Sequence, residues 1–131
     1  VIDEHAAAVL ALLNAVTSPQ LVVYDGKVPT GASLPYVLPY FAGGYPDLNF
    51  RAVTKTFQLR ITLHCVAANG QAARRVSDRA AAALLDVRPV VTGRTCYPIR
   101  WEESTPPQRD ESTGALVMDQ IDTYLLGSVP G

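Results

Sequence analysis

The sequence predicts an α+β fold: two helices packed on one face of a mixed, mostly antiparallel β-sheet, with long loops. Three observations carry this expectation. Residues 56–65 alternate strictly between polar and apolar, the period of a strand with one wet face and one dry face. Two other stretches, one near the start and one after Asn69, instead repeat apolar residues at three- and four-residue steps, the period of a helix. Strand-like runs then return in the last third of the chain. A sheet with one dry face calls for helices on one side only, which favours antiparallel or mixed pairing.

The opening helix is expected to be capped by Asp3, whose carboxylate also suits the positive helix end. Ala6, Val9, Leu10, Leu13 and Val16 form its apolar face. Thr17-Ser18-Pro19 ends it, because a residue before proline avoids helical angles. Leu21 to Tyr24 reads as a short strand, followed by the turn signal Asp25-Gly26. Val28 to Pro35 is a proline-bearing loop. Tyr36 to Phe41 reads as an edge or bulged strand, since Pro39 cannot donate to a ladder. Ala42 to Asp47, with Gly43-Gly44 and Pro46, reads as an irregular loop.

The long alternating strand lies between Val53 and Val66. Phe57, Leu59, Ile61, Leu63 and Cys65 should face the core, and Thr56, Gln58, Arg60, Thr62 and His64 the other side. Asn69-Gly70 breaks it and opens the second helix. Ala73, Val76, Ala80, Ala83, Leu84 and Val87 should be buried there, and Arg74, Arg75, Asp78 and Arg79 solvated. Arg88-Pro89 stops the helix. Val90-Val91 and Thr95 to Glu103 read as strands, Ser104 to Gly114 as a polar loop ill-suited to a tight hairpin, Leu116 to Leu126 as the final strand, and Gly127 to Gly131 as a frayed tail. There is no internal repeat and no linker, so residues 1–131 are expected to form one domain.

Composition bounds the function. The 131 residues are 48% hydrophobic and 18% charged, a globular and not a disordered balance. Eleven basic against twelve acidic residues exclude the uniformly basic surface of a general nucleic-acid binder. No apolar run reaches the ~20 residues of a membrane helix, and Val1-Ile2-Asp3-Glu4 has no positively charged leader character. Cys65 and Cys96 have neither zinc-ligand nor CxxC spacing. They read as reduced, half-buried thiols of a cytosolic product, and whether they pair is not legible.

Catalytic chemistry finds no foothold. His64 and Cys65 adjoin, but neighbours in a strand face opposite sides of the sheet and cannot form a dyad. Asp119 and Asp122, and likewise Glu102 and Glu103, should each split between the two faces. Gly43-Gly44 precedes Tyr45-Pro46 and not a GK[ST] helix start, so it is no phosphate loop. Two His and two Cys without close spacing give no zinc cage. No cofactor is expected. A ligand pocket near Tyr36, Tyr40 and Trp101 is the alternative, without convergent polar groups to support it.

What remains is a sheet whose second face reads as wholly polar and three long loops: Val28 to Pro35, Ala42 to Asn49, and Ser104 to Gly114. Loops this long in a small domain usually carry function. The layout resembles the tail terminator (tail-completion) proteins of long-tailed, non-contractile bacteriophages. The similarity lies in an opening amphipathic helix, a short β hairpin with a proline-rich loop, and the strand Phe57 to Cys65 running into the helix Ala72 to Asp86. It continues in Cys96-Tyr97-Pro98-Ile99-Arg100, the charged loop Arg109-Asp110-Glu111-Ser112, and the ending Asp122-Thr123-Tyr124-Leu125-Leu126. The resemblance implies a non-enzymatic virion protein: a homohexameric ring at the head-proximal end of the tail. Its partners would be further copies of itself, the tail tube protein and the head-completion or connector protein. Genomic DNA would pass through the lumen without specific binding. A head-tail connector or stopper subunit shares this layout. Thr30, Gly31, Tyr45, Asp47, Arg60, His64, Arg109, Asp110 and Glu111 are the interface and lumen candidates, with Asp110 and Glu111 suited to a lining that does not hold a polyanion.

Overall fold

The computed structural model describes residues 1–17, 19–45, 56–111 and 117–131. Two helices, α1 (Ile2–Asn14) and α2 (Gly70–Leu84), lie on one face of a six-stranded sheet: β1 (Tyr36–Gly44), β2 (Phe57–Ala67), β3 (Arg94–Cys96), β4 (Arg100–Ser104), β5 (Gln108–Asp110) and β6 (Val117–Pro130). All pairs of these strands are antiparallel. This is the expected α+β architecture.

The alternating segment forms β2, at the centre of the hydrophobic packing. Phe57, Leu59, Ile61, Leu63 and Cys65 are buried beneath the helices, and Gln58, Arg60, Thr62 and His64 point the other way. Each of the three fully buried aliphatics contributes roughly 1.5–3 kcal/mol. α2 is capped as its sequence implies: Asn69 Oδ1 accepts a hydrogen bond from the Ala72 amide at 2.8 Å. Its buried residues are Ala73, Val76, Ser77, Ala80 and Leu84. Ala83 is only half-buried. The helix closes at Leu84, before Arg88-Pro89, because Leu85 turns extended and the Asp86 amide bonds the Ile99 carbonyl at 3.0 Å. The chain there leaves the helix to pair with the strand region.

Several local expectations are corrected. Asp3 does not cap α1. Val1 is the N-cap, with Asp3 inside the first turn. The buried stripe of α1 is His5, Val9 and Leu13, so a histidine occupies the face expected to begin at Ala6. Leu21 to Tyr24 is not a ladder strand and makes no hairpin. It forms one isolated, parallel bridge, Val23 to Val37, against the outer side of β1. β1 is an edge strand containing Pro39, as read, but it continues through Ala42-Gly43-Gly44, which looked like loop. Gly43 allows this close packing: a Cβ there would lie 2.8 Å from Ile2 Cγ1 and inside the space of the Phe57 ring.

The largest correction concerns the end of the chain. β6 runs to Pro130, through the supposed tail, and pairs with β2 on one side and with β3, β4 and β5 on the other. These three short strands lie end to end along β6, opposite residues 128–130, 122–125 and 117–119 respectively. They are one interrupted strand. Pro98, and Pro106-Pro107, fall in the two gaps, where no ladder donor is needed. The supposed loop after Ser104 therefore contains β5, paired from Gln108–Asp119 to Asp110–Val117. Its sequence hid this because β5 is exposed along nearly its whole length. A strand wet on both sides has no alternation to read.

Candidate interaction surface

Two buried polar clusters hold the layers together, and neither was legible beforehand. The first surrounds Asp122, which is 1% exposed at the centre of β6. Its Oδ2 accepts from the Ser77 hydroxyl of α2 at 2.5 Å, and its Oδ1 accepts from the Ser104 hydroxyl of β4 and from Gln120 Nε2 at 3.2 Å. The carboxylate thus joins the helix and the edge to the central strand, and its charge is compensated by these donors. The neighbouring Cys65 thiol is pushed far up by burial, with Asp122 adding to the effect. Burial thus favours its thiol form.

The second cluster pins α1. His5 Nδ1 donates to the Val1 carbonyl at 2.6 Å, which leaves Nε2 to accept from the Ser128 hydroxyl at 2.7 Å. Arg94 Nε donates to the same hydroxyl oxygen at 3.1 Å. A Ser–His pair of this form suggests nucleophilic catalysis. Both residues are fully buried, and the pair clasps α1 to β6. Cys65 and Cys96 are free and buried, deeper than the half-buried thiols expected. Cys65 and His64 do face opposite sides, as their adjacency requires. Asp119 and Asp122 also part: one meets His64, the other lies under α2.

The opposite face of the sheet has no helix over it among the described residues. Strand register places Leu38 and Tyr40 of β1, Arg60, Thr62 and His64 of β2, and Ile121, Thr123 and Leu125 of β6 side by side there. It is therefore not wholly polar: aliphatic and aromatic side chains alternate with the polar ones. The reading from β2 alone missed this, since β1 and β6 bring their apolar residues to the same face.

Of the candidate residues, this face gathers Arg60, His64 and Asp110. Arg60 pairs with Glu102 at 3.2 Å. His64 Nδ1 donates to Asp119 Oδ2 at 2.9 Å, and the Tyr40 ring stands edge-on to the imidazole at 5.4 Å. The Asp119 hydrogen bond raises the His64 pKa above its ordinary value, against the opposing effect of burial, and the charges of Asp119 and Asp110 add to the rise. Tyr36 is raised by burial and then by the same two carboxylates.

The other candidates lie elsewhere. Thr30 and Gly31 form the middle of a turn closed by the Ala32 amide on the Pro29 carbonyl at 3.2 Å, with Gly31 at φ 79°. Tyr45 stands edge-on to Phe57 at 5.5 Å. Arg109 and Glu111 pair with each other at 3.0 Å, both exposed. Asp47 lies outside the described residues, as do the starting residues 53–55 of the alternating stretch and the 112–116 tip of the last loop. Tyr36 and Tyr40 do not share a pocket with Trp101. β1 and β4 are separated by β2 and β6.

Among the described residues, no three His, Cys, Asp or Glu side chains gather to hold a metal ion. No described helix is long and apolar enough to cross a membrane. No family model and no curated protein matches the sequence. A solved structure does: a chain of a particle described as the virion of a native gene transfer agent. It is similar with a TM-score of 0.65 at 20% identity, over 95% of this chain and 93% of that one. At that identity the likeness establishes a shared fold.

Proposed function

We propose that this chain is a non-enzymatic structural subunit of a phage-like virion, and specifically a tail terminator. Copies would close into a ring, a hexamer, at the head-proximal end of the tail tube. The ring would stop tube growth and present its other side to the head-completion complex. The observation that supports this most is the fold likeness to a virion chain across nearly the full length of both proteins. The sheet supports it too. Among the described residues one face has no helix over it, and of the arginines there Arg60 is paired to Glu102, with Arg100 beside it opposite Leu125, while on β5 Arg109 is paired to Glu111. Paired cations add little salt-sensitive grip on DNA, which suits a passage for a genome. Asp110 and Glu111 fit the same lining, and Thr30, Gly31, Tyr45 and Asp47 fit loop contacts with the tube or head.

The test is electron microscopy of the purified protein mixed with tail tubes, beside the same protein mixed with portal-bearing heads. The expected result is a ring on one end of the tube. Binding to heads alone would make the chain a connector or stopper subunit, and binding to neither would end the reading.

A further inference from the structure

His64 ties two strands together at the point where a third is docked. It stands on β2, and its Nδ1 donates to Asp119 Oδ2 of β6 at 2.9 Å. Both side chains are largely shielded, 25% and 19% exposed. The second carboxylate oxygen, Asp119 Oδ1, is buried with no hydrogen-bond partner among the described residues. The backbone of Asp119 lies opposite Gln108, the first residue of β5. The carboxylate that receives the imidazole N–H therefore belongs to the residue on which β5 begins.

β5 is three residues long, mostly exposed, and pairs with β6 alone. A short exposed edge strand can open locally without unfolding the core. β5 also brings a second carboxylate to the site. The charges of Asp119 and of Asp110 on β5 both act on the imidazole. From β1, the Tyr40 ring stands edge-on to His64 at 5.4 Å, and Tyr36 stands by the same two carboxylates. The titratable groups around His64 from β1, β5 and β6 are thus two phenols and two carboxylates.

Histidine is the side chain whose charge changes near neutral pH. As an imidazolium it compensates Asp119. As a neutral imidazole it still donates one hydrogen bond, but it leaves a shielded carboxylate whose Oδ1 has no donor. A shielded charge without compensation is costly. The neighbouring element that can yield, and let water in, is the edge strand.

We infer that His64 is a pH-operated latch on β5: the protonated ring, holding Asp119, keeps β5 paired to β6, and loss of its proton releases β5 while the rest of the sheet stays intact. Because the Asp119 hydrogen bond raises the His64 pKa above 6.5, the latch is fully closed below 6.5 and opens as pH rises through the raised value. The latch belongs to the single subunit and stands apart from the ring reading.

The test is amide hydrogen exchange of the purified chain, followed by NMR across the His64 titration and expressed as protection factors, which removes the intrinsic pH dependence of exchange. The His64 ring resonances report the titration in the same samples. The expected result is that protection of the β5 amides falls roughly two- to fivefold across that titration, the scale of a partly exposed ion pair. The β4 amides keep theirs. His64→Gln, which keeps a donor but carries no charge, should hold β5 at the low-protection level at every pH. Asp119→Asn should remove the step. Trypsin gives a second reading: cleavage after Arg109, within β5, scaled by the rate on a free peptide of the same sequence, should rise by the same factor.

β5 protection and cleavage that stay flat through the titration, a step that persists in His64→Gln, or β4 and β5 losing protection together overturns the inference. Neither readout involves assembly, so a failure of the ring reading leaves the latch untouched.

Discussion

The Ser77 hydroxyl of α2 donates to the buried carboxylate of Asp122 at 2.5 Å, across 45 residues of sequence. That bond sets α2 on the central strand at a fixed height. The same carboxylate accepts from Ser104 on the edge strand, from Gln120 and, at 3.8 Å, from the Cys65 thiol, so four donors share one carboxylate that water cannot reach. Asp122→Ala should leave these donors unsatisfied and cost about 3 kcal/mol. Asp122→Asn, which keeps an acceptor, should cost less. Chemical denaturation of both variants checks the order, and an alanine variant as stable as the wild type would show that the cluster is not structural.

Leu59 and Ile61 are fully buried on the helix side of β2. Aspartate at either position brings an unpaired charge into the core and should cost more than about 4 kcal/mol, enough to unfold the protein. Gln58→Asp, one residue away on the opposite face, should shift the melting temperature little. Thermal melts of the pair test the assignment of faces directly.

Gly43 and Gly44 look equivalent in sequence, but their surroundings differ. A Cβ at Gly43 would meet Ile2 and the Phe57 ring, while one at Gly44 meets nothing within 4 Å. Gly43→Ala should therefore destabilise by about 1–3 kcal/mol through overpacking. Gly44→Ala should be close to neutral. Denaturant midpoints distinguish them.

His64 predicts a pH dependence. Its hydrogen bond to Asp119 raises the folded-state pKa above the ordinary 6.5. The stabilisation from this pair is fully present below 6.5 and is lost as pH rises through the raised folded-state value. The stability difference between wild type and His64→Gln should therefore shrink with rising pH. In Asp119→Asn the His64 titration, followed by NMR, should fall back toward 6.5. An unchanged titration midpoint would remove Asp119 as the cause.

Local rules were enough where one pattern controlled one element. The ten-residue alternation announced β2 and both of its faces, and Asn69-Gly70 marked the start of α2, because strand period and helix capping act over a few residues. The candidate surface was legible only in part. Arg60 and His64 could be assigned to the open face from β2 alone. Asp110 joined them only through the pairing of β5 with β6, and no signal in its exposed, charged sequence announced that strand.

By itself, then, the sequence determined the α+β class, the central strand and the helix-covered side, since apolar periodicity is a property of neighbouring residues. The tertiary structure alone decided that residues 127–130 complete β6, that Asp122 and His5 are buried anchors, and that β3, β4 and β5 line up along one edge of the sheet. A buried carboxylate or histidine is tolerated only when donors and acceptors arrive from distant segments. An edge exists only once the strands have taken their order.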